Sequence, residues 1–282
     1  MSKKQVTLII TAICLLFLMS GCSTSSEPIS LDTTFHDMTQ EGVFTALLTY
    51  PLAQAINFLS SKVGVFFSIT IVAVALNAII IAITFKSNVA MQKMQALQPE
   101  IQKIQMKYEG RADQASQQRM SQELQAVYKK NGINPLGSMV ATFIQLPVLF
   151  AMYAAVRRAT SVTNGTFLGA TLSLTPREAL AEKEWVLIVI YVLMVVMQII
   201  SINCTRWIQE SRNKKEAERK HKHYEKPVDN NKMMTYSMVI FIAFIMISWP
   251  TALSLYYCIY SCITIAKTFL IDYLTHRETE EK

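Results

Sequence analysis

The chain has 282 residues, of which 51% are hydrophobic, and it carries a formal net charge of +7. Its apolar residues form blocks too long for the core of a soluble domain, which excludes a soluble enzyme and predicts an all-α polytopic membrane protein. The five cysteines predict no disulfide framework, because most of them lie in or beside apolar blocks. The basic residues lie between those blocks, as is typical of loops that face anionic lipid headgroups.

The N-terminus has the pattern of a bacterial secretory signal, with a basic start, an apolar run and small residues before Cys22. Small residues ahead of a cysteine resemble a lipobox, although Met19 stands where leucine is usual. We therefore expect a signal peptide over 1–21, acylation of Cys22, for example with palmitate, and a lipid-anchored extracellular tether over 22–42. An uncleaved membrane anchor is the alternative.

Residues 43–61 place their apolar side chains on one helical stripe but are too polar and too interrupted to cross a bilayer. This pattern predicts an amphipathic helix lying in the outer headgroup layer. Pro51 predicts a bend in it.

Five apolar blocks without any Asp or Glu predict five transmembrane helices. The first block has 22 uncharged residues, enough to cross a hydrocarbon core of about 30 Å. The absence of intramembrane carboxylates disfavours a proton-coupled transporter or an intramembrane aspartyl protease. The last block contains Lys267, which can extend towards the membrane surface. The predicted spans, followed by a cytoplasmic tail over 272–282, are 64–85, 136–156, 185–204, 233–249 and 251–271.

The segment 86–135 predicts two antiparallel amphipathic helices with a break near Gly110, a helical hairpin. Pro99 predicts a kink in the first helix, and Gly132 and Pro135 predict the end of the second. Its methionines and glutamines favour an adaptable contact surface, whereas a hairpin that packs only on itself is the alternative. The predicted contact residues are Met91, Met94, Leu97 and Pro99.

Loop charge predicts the orientation. The segments 86–135 and 205–232 hold 17 Lys and Arg, whereas 23–63 and 157–184 hold five. The first pair is therefore expected in the cytoplasm, with the mature N-terminus outside and the C-terminus inside a bacterial plasma membrane. Arg157 and Arg158 are a local exception, because they are basic residues on the side that is expected to lie outside.

The spans contain several uncharged polar side chains. If these side chains face one another, they form a wet cavity within the membrane. For Asn77 two interpretations stay open: an interhelical hydrogen bond worth about 0.6–2 kcal/mol, or a place in the lining of a polar pocket. We find no nucleophile motif, Walker loop or zinc signature, so we expect no enzymatic activity, no cofactor and no metal site. The candidate groove-lining residues are Asn77, Gln145, Gln198, Ser201, Thr235, Ser254 and Tyr257.

Three stretches resemble the YidC/Oxa/Alb family of membrane protein insertases. They are MQKMQALQPEIQKIQMKYEG at 91–110, NPLGSMVATFIQLPVLFAMYAAVR at 134–157 and WPTALSLYYCIYS at 249–261. The lipobox and the five-span layout resemble the Gram-positive branch. The resemblance implies a hydrophilic groove closed on the outside, nascent membrane proteins as substrates, and a hairpin that faces substrate and ribosome. It also implies the Sec translocon as a neighbour, with no specific nucleic acid partner.

One position departs from that family. Its members usually carry an Arg in the first span, nine residues before a basic residue, and counting back from Lys86 gives Asn77. Ala82 stands where the family often has a proline. We interpret the chain as a specialised paralogue with a neutral groove that favours substrate tails of little negative charge. The alternatives are an insertase-like scaffold without autonomous activity and a small-solute transporter, the latter disfavoured because inverted repeats are not evident.

Overall fold

The computed structural model describes residues 27–111, 113–219 and 232–280. The predicted signal peptide and the predicted acylation site Cys22 lie outside these described residues, as do the first part of the predicted tether and residues 220–231 of the basic segment 205–232, which is predicted to be a cytoplasmic loop.

The described chain is almost entirely helical, which confirms the all-α prediction. A short π-helix (Thr45–Thr49) and a β-hairpin of two two-residue strands, β1 (Thr166–Phe167) and β2 (Ala170–Thr171), are the described exceptions. The α-helices are α1 (Phe35–Glu41), α2 (Tyr50–Val63), α3 (Val65–Ala96), α4 (Gln98–Lys107), α5 (Gln114–Lys130), α6 (Pro135–Arg158), α7 (Thr160–Asn164), α8 (Pro176–Glu182), α9 (Trp185–Arg219), α10 (Lys232–Met246) and α11 (Thr251–Glu280).

Each of the five predicted spans is a helix, namely α3, α6, α9, α10 and α11. By length and composition, α3, α9 and α11 are apolar enough to cross a membrane. These three helices continue beyond the predicted spans, so that α3 has no break at Lys86 and runs on to Ala96. The residues that follow Lys86 are mostly good helix formers without Gly or Pro, and nothing local ends the helix there.

The predicted hairpin consists of the end of α3 together with α4 and α5. The kink expected at Pro99 takes the form of a break at Leu97, because Pro99 lies in the first turn of α4, where its missing N–H is not needed. The Lys107 ammonium and the Tyr108 hydroxyl both donate to Oε1 of Glu123 on α5, at 2.6 and 2.9 Å.

The end of α5 corrects one prediction. The helix stops at Lys130, and Gly132 follows with φ of 63°, a left-handed conformation that favours glycine. Pro135 does not end α5; it is the first residue of α6, where proline is favoured.

A cap, defined as residues 27–63 and 159–184, covers the N-terminal ends of α3, α9 and α11. The predicted amphipathic helix is its π-helix and α2, which form a continuous helical stretch. Pro51 lies in the first turn of α2, so the bend expected there is replaced by the π-helical turn that precedes it. Gly165 is approached so closely by Val65 and by the carbonyl of Ser161 that a side chain would not fit.

A buried ion pair fastens the cap. Nη1 and Nη2 of Arg158 donate to the two carboxylate oxygens of Glu41 at 2.6 and 2.8 Å, and its Nε donates to the Glu27 carbonyl at 2.8 Å. Asn57 donates to the carbonyl of Ile29 at 2.7 Å. These bonds hold the described end of the predicted tether against α2 and α6.

The chain divides into two compact units. The first unit contains the chain up to Asn77, Ile144–Gln198 and Ile240–Ser261, and it includes the cap. The second unit contains Ala78–Phe143, Ile199–Val239 and the chain from Cys262 onwards, and it includes α4 and α5.

Candidate functional site: a buried uncharged polar cluster

Three span helices of the first unit bring polar side chains together. Asn77 on α3 is only 3% exposed, and its Nδ2 donates to the Ala73 carbonyl one turn earlier at 2.8 Å. The hydroxyl of Tyr256 on α11, a fully buried residue, lies close enough to the amides of Asn77 and of Gln145 on α6 to interact with both. We call Asn77, Gln145 and Tyr256 the polar cluster.

Much of the polar cluster lacks hydrogen bonds. Among the described residues, Nε2 of Gln145 and the hydroxyl of Tyr256 are buried without a partner at hydrogen-bond geometry. Leaving a buried polar group unpaired costs about 1–3 kcal/mol. Such groups are rare in native structures and are usually satisfied by water or by a ligand. The cluster can therefore donate hydrogen bonds to a guest.

A second polar contact of the first unit joins α9 to α11. Oγ of Ser261 donates to Oε1 of Gln198 at 2.9 Å, and Ser261 is 1% exposed. One predicted candidate, Gln198, is therefore paired rather than open.

Tyr257, another candidate, is 6% exposed and belongs to an aromatic group on α11. Its ring contacts those of Tyr256 and Tyr260 edge to face, with centroids 5.7 and 6.0 Å apart. Edge-to-face contacts of this kind stabilise and orient aromatic rings. They hold Tyr256, whose hydroxyl reaches the amides, in a fixed position.

Two predicted candidates do not belong to the described residues of the first unit. Ser201 is buried, but it lies in the second unit. The side chain of Thr235 lies outside the described residues.

Sequence reasoning missed Tyr256 and Ser261 as site residues. The available signal was the density of hydroxyls in the last span. Ser254, Tyr257 and Ser261 are spaced by three and four residues and so lie on one helical face, which includes Ser261 but not Tyr256. That spacing gives the face but not the partners.

The polar cluster offers hydrogen bonds from uncharged side chains. Its members are two amides and a phenol, and no Asp, Glu or His belongs to it. Within the described ranges, no group of three His, Cys, Asp or Glu side chains is placed to hold a metal ion. Such a site can solvate a polar guest.

The hairpin carries a separate cavity of about 460 Å3 at its turn, in the second unit. The predicted contact residues Met91, Met94, Leu97 and Pro99 do not line it; they are partly exposed at the junction of α3 and α4. Its lining residues include Gln102, Met106, Tyr108, Gln117 and Met120.

Comparison with known proteins gives concordant matches. The model of the family described as 60Kd inner membrane protein matches residues 56–278. The chain is 30% identical over 272 residues to Membrane protein insertase YidC 2 of Bacillus anthracis, covering 95% of this chain and 94% of that protein. It is 28% identical over 271 residues to Membrane protein insertase MisCA of Bacillus subtilis, covering 95% and 92%. It is also 28% identical over 272 residues to Membrane protein insertase YidC of Alkalihalophilus pseudofirmus, covering 94% of each.

Proposed function

This chain belongs to the 60Kd inner membrane protein family, and we propose that it is a membrane protein insertase of the bacterial plasma membrane. It lets transmembrane segments and short polar tails of nascent membrane proteins pass from water into the bilayer. The proteins it resembles along almost its whole length are named as insertases.

The polar cluster carries this proposal. Moving an amide or hydroxyl from water into an apolar medium without a hydrogen bond costs about 2–7 kcal/mol. The unpaired groups of Gln145 and Tyr256 can supply hydrogen bonds to a polar tail within the spans. The barrier to passage falls by the part of the desolvation cost that these bonds offset. No bond of the substrate is made or broken, so the protein acts on partitioning and not as an enzyme.

The uncharged character of the cluster sets a preference. Asn77 provides an amide where the family resemblance leads us to expect a cation, so a carboxylate in the cluster would have no counter-charge. Because an unpaired buried charge costs far more than a buried amide, the protein favours tails with little negative charge.

The proposed topology follows loop charge. The mature N-terminus, acylated at Cys22, lies outside, the cap lies at the outer surface, and the hairpin and C-terminus lie in the cytoplasm. In this orientation the hairpin, through Met91, Met94 and their neighbours, meets emerging substrates and the ribosome, and the Sec translocon is a neighbouring partner.

A scaffold without autonomous insertion activity is the second candidate. It is favoured by one observation, the uncharged Asn77 at the position where the family usually has an Arg. The two functions differ in whether the chain alone supports insertion.

Depletion rescue tests the proposal. A bacterium depleted of its own insertase receives the wild type, Asn77→Arg or the neutral control Asn77→Gln, with expression and membrane location verified. We expect rescue by the wild type and by Asn77→Gln, and better insertion of an acidic-tailed substrate by Asn77→Arg. Rescue by Asn77→Arg alone would show that the natural residue restricts the substrate range severely. Failure of all three would contradict the insertase function and support the scaffold.

A further inference from the structure

An exposed stripe runs along the second half of α6, defined as Leu146, Phe150, Tyr153 and Arg157. Its members follow one another at spacings of four, three and four residues, which places them on one face of the helix. Leu146 and Phe150 are 50% and 40% exposed, and Arg157 is exposed as well. The stripe is therefore apolar along most of its length and basic at its end.

The length of the stripe matches one leaflet of a bilayer. At about 1.5 Å per residue, Arg157 lies about 16 Å along α6 from Leu146. Half of a hydrocarbon core about 30 Å thick is about 15 Å. Arg157 is also the first residue beyond the predicted span 136–156. With Leu146 near the middle of the membrane, the Arg157 guanidinium therefore reaches the headgroups.

Aromatic contacts hold the basic end of the stripe. Nη1 of Arg157 donates to the Tyr153 hydroxyl at 3.1 Å, and the guanidinium carbon lies 6.0 Å from the centre of the Tyr153 ring. The same ring packs on Trp249, with centroids 4.6 Å apart. Tyrosine and tryptophan are enriched at headgroup level in membrane proteins. The guanidinium is therefore held beside two rings that favour the same depth.

Helix α10 adds a second apolar surface that leads to this place. Ile240 and Phe244 lie on one face of α10 and are 69% and 74% exposed, and Ile247, just beyond the helix, is 37% exposed. Trp249 follows two residues later, so the apolar surfaces of α6 and α10 meet at its contact with Tyr153. Two such surfaces fit acyl chains that extend below a headgroup.

The positive charge at this end lacks a protein counter-charge. Within the described residues Arg157 forms no ion pair, and the Tyr153 hydroxyl accepts one of its five N–H donors. The backbone N–H of the exposed Arg177 donates to the Ile247 carbonyl at 3.3 Å, which brings a second basic residue to the same corner. The neighbouring Glu178 carboxylate turns back to cap its own helix, where it accepts two hydrogen bonds at 2.8 and 2.9 Å. A ligand at this corner must therefore supply the anion.

We propose that the stripe and the Tyr153–Trp249 pair bind a phospholipid with an anionic headgroup, and that Arg157 holds its phosphate. A guanidinium donates two parallel hydrogen bonds to phosphate oxygens, and the headgroup balances its charge. The exposed apolar side chains of α6 and α10 contact the acyl chains. Free phosphate has no acyl chains and would leave these apolar surfaces unused, so they favour a lipid. The proposed topology places this lipid in the outer leaflet, and the site does not depend on the insertase function.

The lipid site and the polar cluster use different faces of α6. A bound lipid covers the face that contains Phe150 and leaves the side of Gln145 open to a polar guest. One helix thus contacts lipid on one side and a polar guest on the other.

Quenching of Trp249 by brominated lipids tests the site. The chain has three tryptophans, so the full chain with Trp185→Phe and Trp207→Phe retains Trp249 alone. It is reconstituted in phosphatidylcholine vesicles, in which a rising fraction is replaced by phosphatidylglycerol or phosphatidylcholine with bromine on the acyl chains near the headgroup. The measured quantity is the affinity of the site for phosphatidylglycerol relative to phosphatidylcholine. We expect a ratio of about five, as for one basic residue beside an anionic headgroup.

Matched variants assign this preference to the guanidinium. Arg157→Gln should lower the ratio to about one. Lys62→Gln removes an exposed cation of α2 in the same unit and should leave the ratio unchanged. Tyr153→Phe removes the hydroxyl that positions the guanidinium and should give an intermediate ratio. The emission of Trp249 without brominated lipid checks the fold of each variant, and in lipid-free detergent Arg157→Gln should unfold at the same midpoint as the parent chain.

An equal ratio in the parent chain and in Arg157→Gln would overturn the proposal. So would equal losses in Arg157→Gln and Lys62→Gln, because the preference would then reflect the charge of the whole surface. Weak quenching by both brominated lipids would contradict it as well, since a protein such as a second copy would then cover the stripe. Inorganic phosphate, added at constant ionic strength, should leave the quenching unchanged. If it displaces phosphatidylglycerol, the ligand is free phosphate and the lipid site is wrong.

Discussion

The first unit contains two buried polar regions that differ in charge and in the pairing of their polar groups. In the cap, Arg158 has each of its three nitrogens within bonding distance of an oxygen of Glu41 or Glu27. In the polar cluster, the donors of Gln145 and Tyr256 have no partner at hydrogen-bond geometry among the described residues. The cap holds the stronger charges and satisfies them, whereas the cluster holds weaker groups and leaves them open.

This difference distinguishes a polar region that stabilises the fold from one that can bind a polar guest. A fully paired ion pair fixes the cap to the helix ends and has nothing left to offer a guest. Unpaired amides and hydroxyls lower the stability of the fold, and a polar group or water that forms hydrogen bonds with them offsets this cost. Substitutions in the two regions should therefore separate stability from insertion activity.

The largest effect is expected at the cap. Arg158→Ala leaves the buried carboxylate of Glu41 without its partner and should destabilise the protein by about 3–5 kcal/mol. The measurement is the unfolding midpoint of the purified chain in detergent. The matched control is Arg157→Ala, which removes the same side chain from an exposed neighbouring position.

A double variant tests whether the stability lost in Arg158→Ala is due to the unpaired charge of Glu41. The double variant Arg158→Met with Glu41→Leu removes both charges and should recover much of the stability, because no unpaired charge remains. An Arg158→Ala midpoint equal to that of Arg157→Ala would show that the ion pair does not fasten the cap.

A smaller effect is expected from a matched pair of tyrosines. The Tyr191 hydroxyl donates to the Ala243 carbonyl at 2.9 Å, so Tyr191→Phe should cost about 1 kcal/mol and leave insertion unchanged. The Tyr256 hydroxyl lacks such a bond, so Tyr256→Phe should be neutral or stabilising and should slow insertion of a polar tail. Unfolding in detergent and insertion into vesicles are the two measurements. Equal loss of stability in both variants would contradict the assignment of Tyr256 to an open site.

The smallest effect is expected for the ion pair of Lys107 and Glu123 in the hairpin, which is paired like that of the cap but exposed. Hydrogen bonds from Lys107 and then Tyr108 hold the pKa of Glu123 below its ordinary value of 4.5. The pair therefore contributes stability above the ordinary glutamate pKa, and the contribution is lost as pH falls through the lowered pKa of the folded state. It should be small, because an exposed ion pair contributes little.

Amide hydrogen exchange over α4 and α5 of the full chain measures this loosening between pH 6 and pH 3. Glu123→Gln should show faster exchange at pH 6 and less further change on acidification. The same acid response in wild type and variant would mean that another group controls the hairpin.

The helices of this fold were predictable because they depend on local pattern. Uninterrupted apolar blocks predict the spans, and spacings of three and four predict the hairpin. The extent of α3 beyond Lys86 was not predicted, because charge marks the membrane boundary without ending a helix.

The site was predictable only in part. Asn77 and Gln145 were visible as polar residues in apolar blocks, and the structure brings them together at Tyr256. Ser201 had the same signal but lies in the other unit. The pair of Arg158 and Glu41 joins residues 117 positions apart, and periodicity gives the face of a helix but not its partner.

Photo-cross-linking from α6 tests the central claim, that substrate polar groups contact the polar cluster. A photoreactive residue replaces either Gln145 or Phe150, which is 40% exposed and lies on a different face of the same helix. A ribosome-stalled membrane protein with a short polar tail is the substrate. We predict that the tail cross-links from position 145 and not from position 150. Equal cross-linking from both positions, or from 150 alone, would contradict the account.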